Sequence, residues 1–168
     1  AIINMVDAST LIYTEDFNDG QAQNWTLVGN TSVLSNKLRC DGDGSHYGVY
    51  DGMTFGSTNF TYKVDAYSYY SSTGNKTRVY FNFSNENNTY YVEAELGTSN
   101  PNVYLKKVVG GTTTTLGTYS NYVTKDFNVT FEVQFTSGGY ITVKATKNSV
   151  TTTLFNNVYD TSLASGKI

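Results

Sequence analysis

Acidic residues in two turn-forming segments are the side chains of this chain best suited to binding a metal ion. The carboxylates are Glu15, Asp16, Asp19, Asp41 and Asp43, and glycines accompany them in Asp19-Gly20 and in Asp41-Gly42-Asp43-Gly44. Hard oxygen ligands on flexible loops suit Ca²⁺. Asp and Gly also form tight turns that hold no metal. We expect a structural calcium site at one of these segments, with ordinary turns as the alternative.

Two further carboxylates, Glu93 and Glu95, lie two residues apart on a predicted strand and therefore share a face. Glycosidases use two carboxyl groups across a sugar, but the residues that follow, Leu96-Gly97-Thr98, supply no third carboxylate. His46 is the only histidine and Cys40 the only cysteine. A Ser-His-Asp or Cys-His catalytic site would therefore have to use His46 as its base, and the Cys-His type would also have to use Cys40 as its nucleophile. We interpret the glutamates as solvated and predict that the chain is not an enzyme. A glycosidase that uses these two glutamates ranks third among the functional hypotheses for this chain, after the two given at the end of this section.

Tyrosines mixed with polar and charged residues form a candidate binding surface. Alternation along the central predicted strands places these side chains on the outward face. The set is Tyr67, Tyr69, Arg78, Tyr80, Asn82, Tyr91, Glu93 and Glu95. Sugar rings stack on aromatic faces while Asn, Glu and Arg bind their hydroxyl groups, but Tyr and Arg are equally enriched where protein subunits meet. Cross-strand tyrosine pairs that only stabilise a solvated sheet are a further interpretation.

The elements that must position these residues are β-strands. Phe127, Val129, Phe131, Val133 and Phe135 alternate with polar residues, a turn follows, and the same period of two resumes, so residues 127 to 146 are predicted to form a hairpin. No helical period competes with this pattern. About ten short strands separated by turn signals predict an all-β, two-sheet antiparallel sandwich of jelly-roll type over residues 11–168.

Composition limits the classes of partner and the compartment. The chain of 168 residues carries a net charge of -3 without a basic stripe, which argues against nucleic acid. No apolar run approaches the roughly 20 residues that a membrane-spanning helix needs. Seven Asn-x-Ser/Thr triplets favour an extracellular or cell-surface glycoprotein, although a sequence this rich in Asn, Ser and Thr also produces such triplets by chance. The candidate glycosylation sites are Asn24, Asn30, Asn59, Asn75, Asn82, Asn87 and Asn128.

Several segments resemble the concanavalin-A-like and laminin-G-like jelly rolls. Residues 15–20 with Trp25 resemble the first strand and turn of that superfamily, residues 79–93 resemble its central hairpin, and residues 105–111 and 165–168 fall where its pattern expects them. The superfamily includes carbohydrate-binding modules, lectins, glycosidases and structural domains, so the resemblance supports the fold more than the function. It also implies a structural calcium ion near the first strand and one more strand after Gly166-Lys167-Ile168.

The N-terminal residues 1–10 form an apolar extension that precedes the first strand of that pattern. Ile2, Ile3, Met5 and Val6 make it a candidate β-strand, which could fold back into its own sheet or add to the sheet of a second copy. Addition to a neighbour is head-to-tail and builds a filament or tube. The leading hypothesis is therefore a non-catalytic extracellular subunit that polymerises by donating this strand. The alternative is a carbohydrate-binding module or lectin that binds polysaccharide on its tyrosine-rich face.

Overall fold

The computed structural model describes residues 3–7, 10–40, 47–52, 54, 59–67, 76–95, 101–123 and 128–168, and gives only the backbone for 3–7, 10–14 and 67. All of its regular elements within those ranges are β-strands, and the two larger sheets are antiparallel and pack as a sandwich. The predicted all-β, two-sheet antiparallel sandwich is confirmed. The architecture is compatible with a jelly roll.

One large sheet has six strands and contains the N-terminal strand in its interior. From one edge to the other, its strands are β14 (Val150–Tyr159), β13 (Tyr140–Lys147), β12 (Asn128–Phe135), β7 (Phe60–Tyr67), β1 (Ile3–Asp7) and β2 (Thr10–Glu15). The predicted hairpin of residues 127–146 is present as β12 and β13, with Phe127 outside the described residues. Its alternation works as expected, because every second residue of β12 is buried.

The second large sheet has four strands, and two short two-stranded sheets lie beside the sandwich. From one edge to the other, the strands of the four-stranded sheet are β11 (Thr112–Tyr119), β10 (Val103–Val109), β9 (Asn88–Glu95) and β8 (Lys76–Asn85). The short sheets pair β3 (Trp25–Val28) with β6 (Tyr47–Tyr50), and β4 (Thr31–Val33) with β5 (Leu38–Cys40). The sequence pattern did not predict β4, which has only three residues.

The core lies between the two large sheets and is rich in aromatic rings. Phe81 stacks on Tyr90 with ring centroids 5.3 Å apart, and Phe60 stacks on Phe135 at 5.5 Å. Tyr62 is fully enclosed, and its hydroxyl donates to the backbone oxygen of Tyr80 at 2.8 Å, which links one sheet to the other. Aromatic pairs at these separations add stabilisation beyond the area that they bury. The described residues contain no helix of the length and hydropathy needed to cross a bilayer.

The last residues of the chain connect β8 to β6. Lys167 exchanges two backbone hydrogen bonds of 2.8 Å with Phe83 on β8, and Tyr50 on β6 donates to the backbone oxygen of Ile168 at 2.8 Å. Asp160 anchors the start of this segment by accepting from the Tyr90 hydroxyl at 2.6 Å and pairing with Lys107. Burial raises the pKa of Asp160, but these partners outweigh it and hold the pKa at about 2. The segment is therefore fixed at both ends.

Gly166 permits the close approach of this segment to β8. A Cβ atom at residue 166 would lie 2.1 Å from the carbonyl carbon of Asn82 and 2.4 Å from the amide nitrogen of Phe83, and backbone atoms cannot rotate away. We expect Gly166→Ala to lower the free energy of unfolding by about 2 kcal/mol, as overpacking does. Urea unfolding measures this. Gly138→Ala is the control, because its Cβ meets only side-chain atoms at 3.4 Å or more; equal losses in both variants would contradict the prediction.

Candidate functional site

The N-terminal strand occupies an internal position of the six-stranded sheet. β1 pairs antiparallel with β7 on one side, from Ile3↔Val64 to Val6↔Thr61, and antiparallel with β2 on the other. Within the described residues β1 is the only strand that pairs with β2. Of the candidate donor residues, Ile3, Met5 and Val6 lie on β1, and Ile2 lies outside the described residues. The extension is thus an integral strand of the sheet and, in the part of the chain that the structure describes, the sole link between β2 and the other strands.

The candidate calcium ligands do not assemble into a cluster where the structure describes them. Glu15 accepts from the backbone N–H of Phe17 at 2.8 Å, and Asp16 accepts from that of Asn18 at 3.0 Å. Asp19 accepts from Gln23 and Gln21, and these hydrogen bonds lower its pKa. Each carboxylate therefore stabilises its own turn.

Among the described residues, no three His, Cys, Asp or Glu side chains come close enough to hold a metal ion. Asp41 and Asp43, together with His46, lie outside the described residues. Ca²⁺ takes six to eight oxygens, and backbone carbonyls and waters can supply part of that shell. Calcium stays a prediction.

The tyrosine-rich surface proves to be divided between the two sheets. Arg78 and Tyr80 on β8 lie opposite Glu93 and Tyr91 on β9, so these four share one face as predicted. Tyr67 was expected beside them and is not, because β7 belongs to the other sheet, where it pairs with β12 and β1. The side chain of Tyr67 and all of Tyr69 lie outside what the structure describes. Alternation identifies faces of single strands but not which strands become neighbours.

Two residues on this face were also expected to be exposed and are buried. Tyr91 is 5% exposed and Glu93 is 0% exposed. The prediction is wrong because long side chains on the flanking strands lie across them: Arg78 lies over the Tyr91 ring at 5.1 Å from its centroid, and cations surround Glu93. Glu95 is half-buried and accepts from the Tyr104 hydroxyl at 3.2 Å.

Three cations from two strands converge on the buried Glu93 carboxylate. Arg78 Nε approaches Oε2 at 2.7 Å, Lys106 Nζ approaches Oε1 at 2.7 Å, and Lys76 Nζ approaches Oε1 at 3.4 Å. Burial raises the pKa of Glu93, but the hydrogen bonds and charges of Lys106 and Arg78 outweigh it and leave the pKa below its usual value. The carboxylate is therefore ionised at neutral pH, and it fixes the positions of the cations around it.

Aromatic rings border this charged cluster, which is hereafter called the Glu93 cluster (Lys76, Arg78, Glu93 and Lys106). Tyr80 lies 5.5 Å from Tyr91 and 5.7 Å from Phe83 between ring centroids, and Tyr47 from β6 reaches both Phe83 and Tyr80. On the opposite border, Lys106 Nζ lies 4.5 Å from the centre of the Tyr104 ring.

Sequence reasoning missed Lys76, Tyr104 and Lys106. The signal that could have found them is their phase, because Lys76 alternates with Arg78 on β8, and Tyr104 lies opposite Glu93 in the pairing of β10 with β9.

Asn82 does not belong to the binding face or to the plausible glycosylation sites. It has a positive φ of 47° at an irregularity of β8, is fully buried, and donates from Nδ2 to the backbone oxygen of Leu163 at 3.0 Å. The predicted exposure of Asn82 is therefore wrong, and a glycan on that nitrogen would displace the C-terminal segment. Asn75 lies outside the described residues. The other five candidate asparagines are all exposed: Asn24, Asn30, Asn59, Asn87 and Asn128.

Comparison with known proteins gives no relationship from which a role could be transferred. No family model matches the sequence, and searches against curated proteins and against solved structures find no significant match. The resemblance to the concanavalin-A-like jelly rolls therefore rests on the residues quoted above and on the sandwich architecture. Function has to be argued from the β1 position and the Glu93 cluster.

Proposed function

We propose that this protein is a non-catalytic extracellular structural subunit that assembles into a filament or tube by inserting β1 of one copy into the sheet of the next. The observation that carries the proposal is that β1 alone links β2 to β7 among the described residues. Without β1, two strand edges would face each other across a gap one strand wide. Because buried backbone N–H and C=O groups need partners, that gap requires an occupant.

The occupant can come from a second copy with no change in its contacts. The ladder from Ile3↔Val64 to Val6↔Thr61, and the ladder to β2, have the same partners whether β1 is supplied by the same chain or by another. Exchange of an identical element is a low-cost route to association. What decides between the two arrangements is the connection from β1 to β2.

The sequence of that connection favours exchange over a hairpin. Only Ala8 and Ser9 separate the paired residues Asp7 and Thr10. Two-residue hairpin loops prefer Asn-Gly, Asp-Gly or a leading Gly, because their central residues adopt positive φ. Ala and Ser have no such preference, and short hinge loops of unsuitable sequence invite domain swapping.

The exposed glycosylation candidates on the surface of the sandwich support an extracellular assembly. Five candidate acceptor asparagines are exposed, which leaves room for sugars on the outer surface. A donated strand leaves its own gap to be filled by the next copy, so each addition creates the site for another. A chain of such insertions needs no second interface to propagate.

Cysteine cross-linking tests whether β1 is supplied by the same chain or by a neighbour. Asn4 and Lys63 are register partners across β1 and β7, so cysteines at both positions should oxidise to a disulfide. In a Cys40→Ser background, Asn4→Cys with Lys63→Cys is expected to give a ladder of multimers on a non-reducing denaturing gel.

The matched control places the second cysteine on the other sheet, as Asn4→Cys with Thr114→Cys, and should give no ladder. A single band of cross-linked monomer in the first variant would show that β1 stays in its own sheet, and a band that stops at the dimer would show a closed reciprocal exchange. Either result would overturn the proposed polymer.

A further inference from the structure

We propose that the outer face of the four-stranded sheet binds an acidic polysaccharide, with the Glu93 cluster as the centre of the site. This site lies on the sheet that does not contain β1, so it does not depend on strand exchange. The ligand chemistry inferred is a chain of sugar rings that carry carboxylates, such as a polyuronate. The inference rests on how charge and aromatic rings are presented at this face.

The face presents positive charge to solvent although a carboxylate lies at its centre. Glu93 is 1% exposed at its side chain, whereas Lys76 and Arg78 are 38% and 40% exposed. With Lys106 they make three cations against the two carboxylates of Glu93 and Glu95, and the better-covered carboxylate is beneath the cations. A ligand approaching this face therefore meets the cations first. The surplus is local, since the chain as a whole carries -3.

The buried carboxylate also makes the cations rigid enough to recognise a ligand. The Nε–H of Arg78 donates to the Glu93 carboxylate, and the guanidinium lies over the Tyr91 ring. Arginine carries five N–H donors in a fixed fork, so the Nε contact leaves others available for a carboxylate. A side chain held in place loses less conformational entropy when it binds, which is the advantage of a preorganised site.

The rings of Tyr80 and Tyr104 make sugar a better match than an acidic peptide. Both are half-buried tyrosines on the same face as the cations, one on each border of the cluster. Aromatic faces contact the apolar face of a sugar ring, while charged groups bind its substituents. An open sheet face with rings on both borders suits an extended chain that crosses several strands.

The outer face of the six-stranded sheet shows what a merely solvated face looks like in the same protein. There Glu132 pairs with Lys63 at 2.9 Å and Lys144 at 3.5 Å, but Glu132 remains 20% exposed and Asp65 supplies a second carboxylate beside Thr130. Two cations face two carboxylates, so no positive surplus results. This face provides the matched control for the test.

The test measures binding of polygalacturonate oligosaccharides to the full chain by isothermal calorimetry, with the methyl-esterified form as the neutral ligand of the same ring structure. We expect the acidic form to bind and the ester to bind at least about tenfold more weakly, and added salt to weaken the acidic form. Lys76→Gln, the variant least coupled to Glu93, should weaken binding about fivefold. Arg78→Lys keeps the charge and should still weaken it by losing the planar fork. Lys63→Gln with Lys144→Gln should change nothing.

Several outcomes would overturn this inference. Equal binding of the acidic and esterified forms, or equal effects of the two sets of variants, would remove the role of the Glu93 cluster. Polyaspartate that binds as well as polygalacturonate would show a general anion surface and reject the sugar. Loss of polymer formation on Lys76→Gln without any saccharide binding would make the face a contact between copies. Because the cross-linking test reports on β1 alone, failure of either proposal leaves the other to be judged separately.

Discussion

A chain that lacks residues 1–8 is expected to remain monomeric under conditions in which the full chain forms filaments. The deletion removes β1 and with it both backbone ladders, to β7 and to β2. Each backbone hydrogen bond contributes about 1 kcal/mol net, so the loss is a large part of the 5–15 kcal/mol that stabilises a typical domain. We expect the melting temperature to fall by more than about 10 °C.

A peptide of residues 1–10 should reverse this loss when added in trans. It carries β1 and can fill the gap between β2 and β7 with the same pairing. Saturating peptide should raise the melting temperature of the truncated chain in a concentration-dependent way, because a ligand that binds only the folded state stabilises it by mass action. The peptide should not restore filaments, since the strand it supplies is not attached to another subunit.

The controls for this experiment separate pairing from general stickiness. A peptide of the same composition in scrambled order has equal hydropathy but loses the register, and it should not raise the melting temperature. Electron microscopy of the full and truncated chains gives the second measurement. Filaments that persist in the truncated chain would contradict strand donation, and so would a truncated chain that melts with the full one.

Local patterns of the sequence were sufficient to predict the sandwich. The hairpin of β12 and β13 follows from strict alternation on both sides of Ser137-Gly138-Gly139, and such a signal needs only nearby residues. The turn between β8 and β9 was likewise predictable. The alternation also predicted the burial of Phe131 and Phe135, but not that Tyr91 would be buried.

The candidate sites depend on pairings between distant strands, and these were not predictable from one sequence. The position of β1 requires β7, more than fifty residues away, as its neighbour. Tyr67 was assigned to the wrong sheet for the same reason. The burial of Glu93 depends on Lys106, which lies on the neighbouring strand β10. The alternation of β9 alone therefore indicated a solvated glutamate.

Removing the two closest cations from the Glu93 cluster should reverse the direction in which the contribution of Glu93 to stability changes with pH. In the wild-type protein the pKa of Glu93 lies below its usual 4.5, so its contribution is present above that value and is lost as pH falls through the lowered pKa. In Arg78→Met with Lys106→Met, burial remains as the main influence and raises the pKa above its unfolded value. The contribution is then greatest in acid and is lost as pH rises through the raised pKa.

The expected loss at pH 7 is about 3–5 kcal/mol, because a buried carboxylate is left without adequate partners. Urea unfolding of both proteins between pH 4 and pH 8 measures the effect. Adding Glu93→Gln to the double variant should restore much of the stability at pH 7 and remove the part of the pH dependence that Glu93 causes, since a neutral amide has no charge to bury. The matched variant Lys63→Met with Lys144→Met, around the more exposed Glu132, should cost less than about 1 kcal/mol. If the two double variants lost equal stability, or if Glu93→Gln failed to rescue the first, lost side-chain packing rather than an unpaired carboxylate would be the cause.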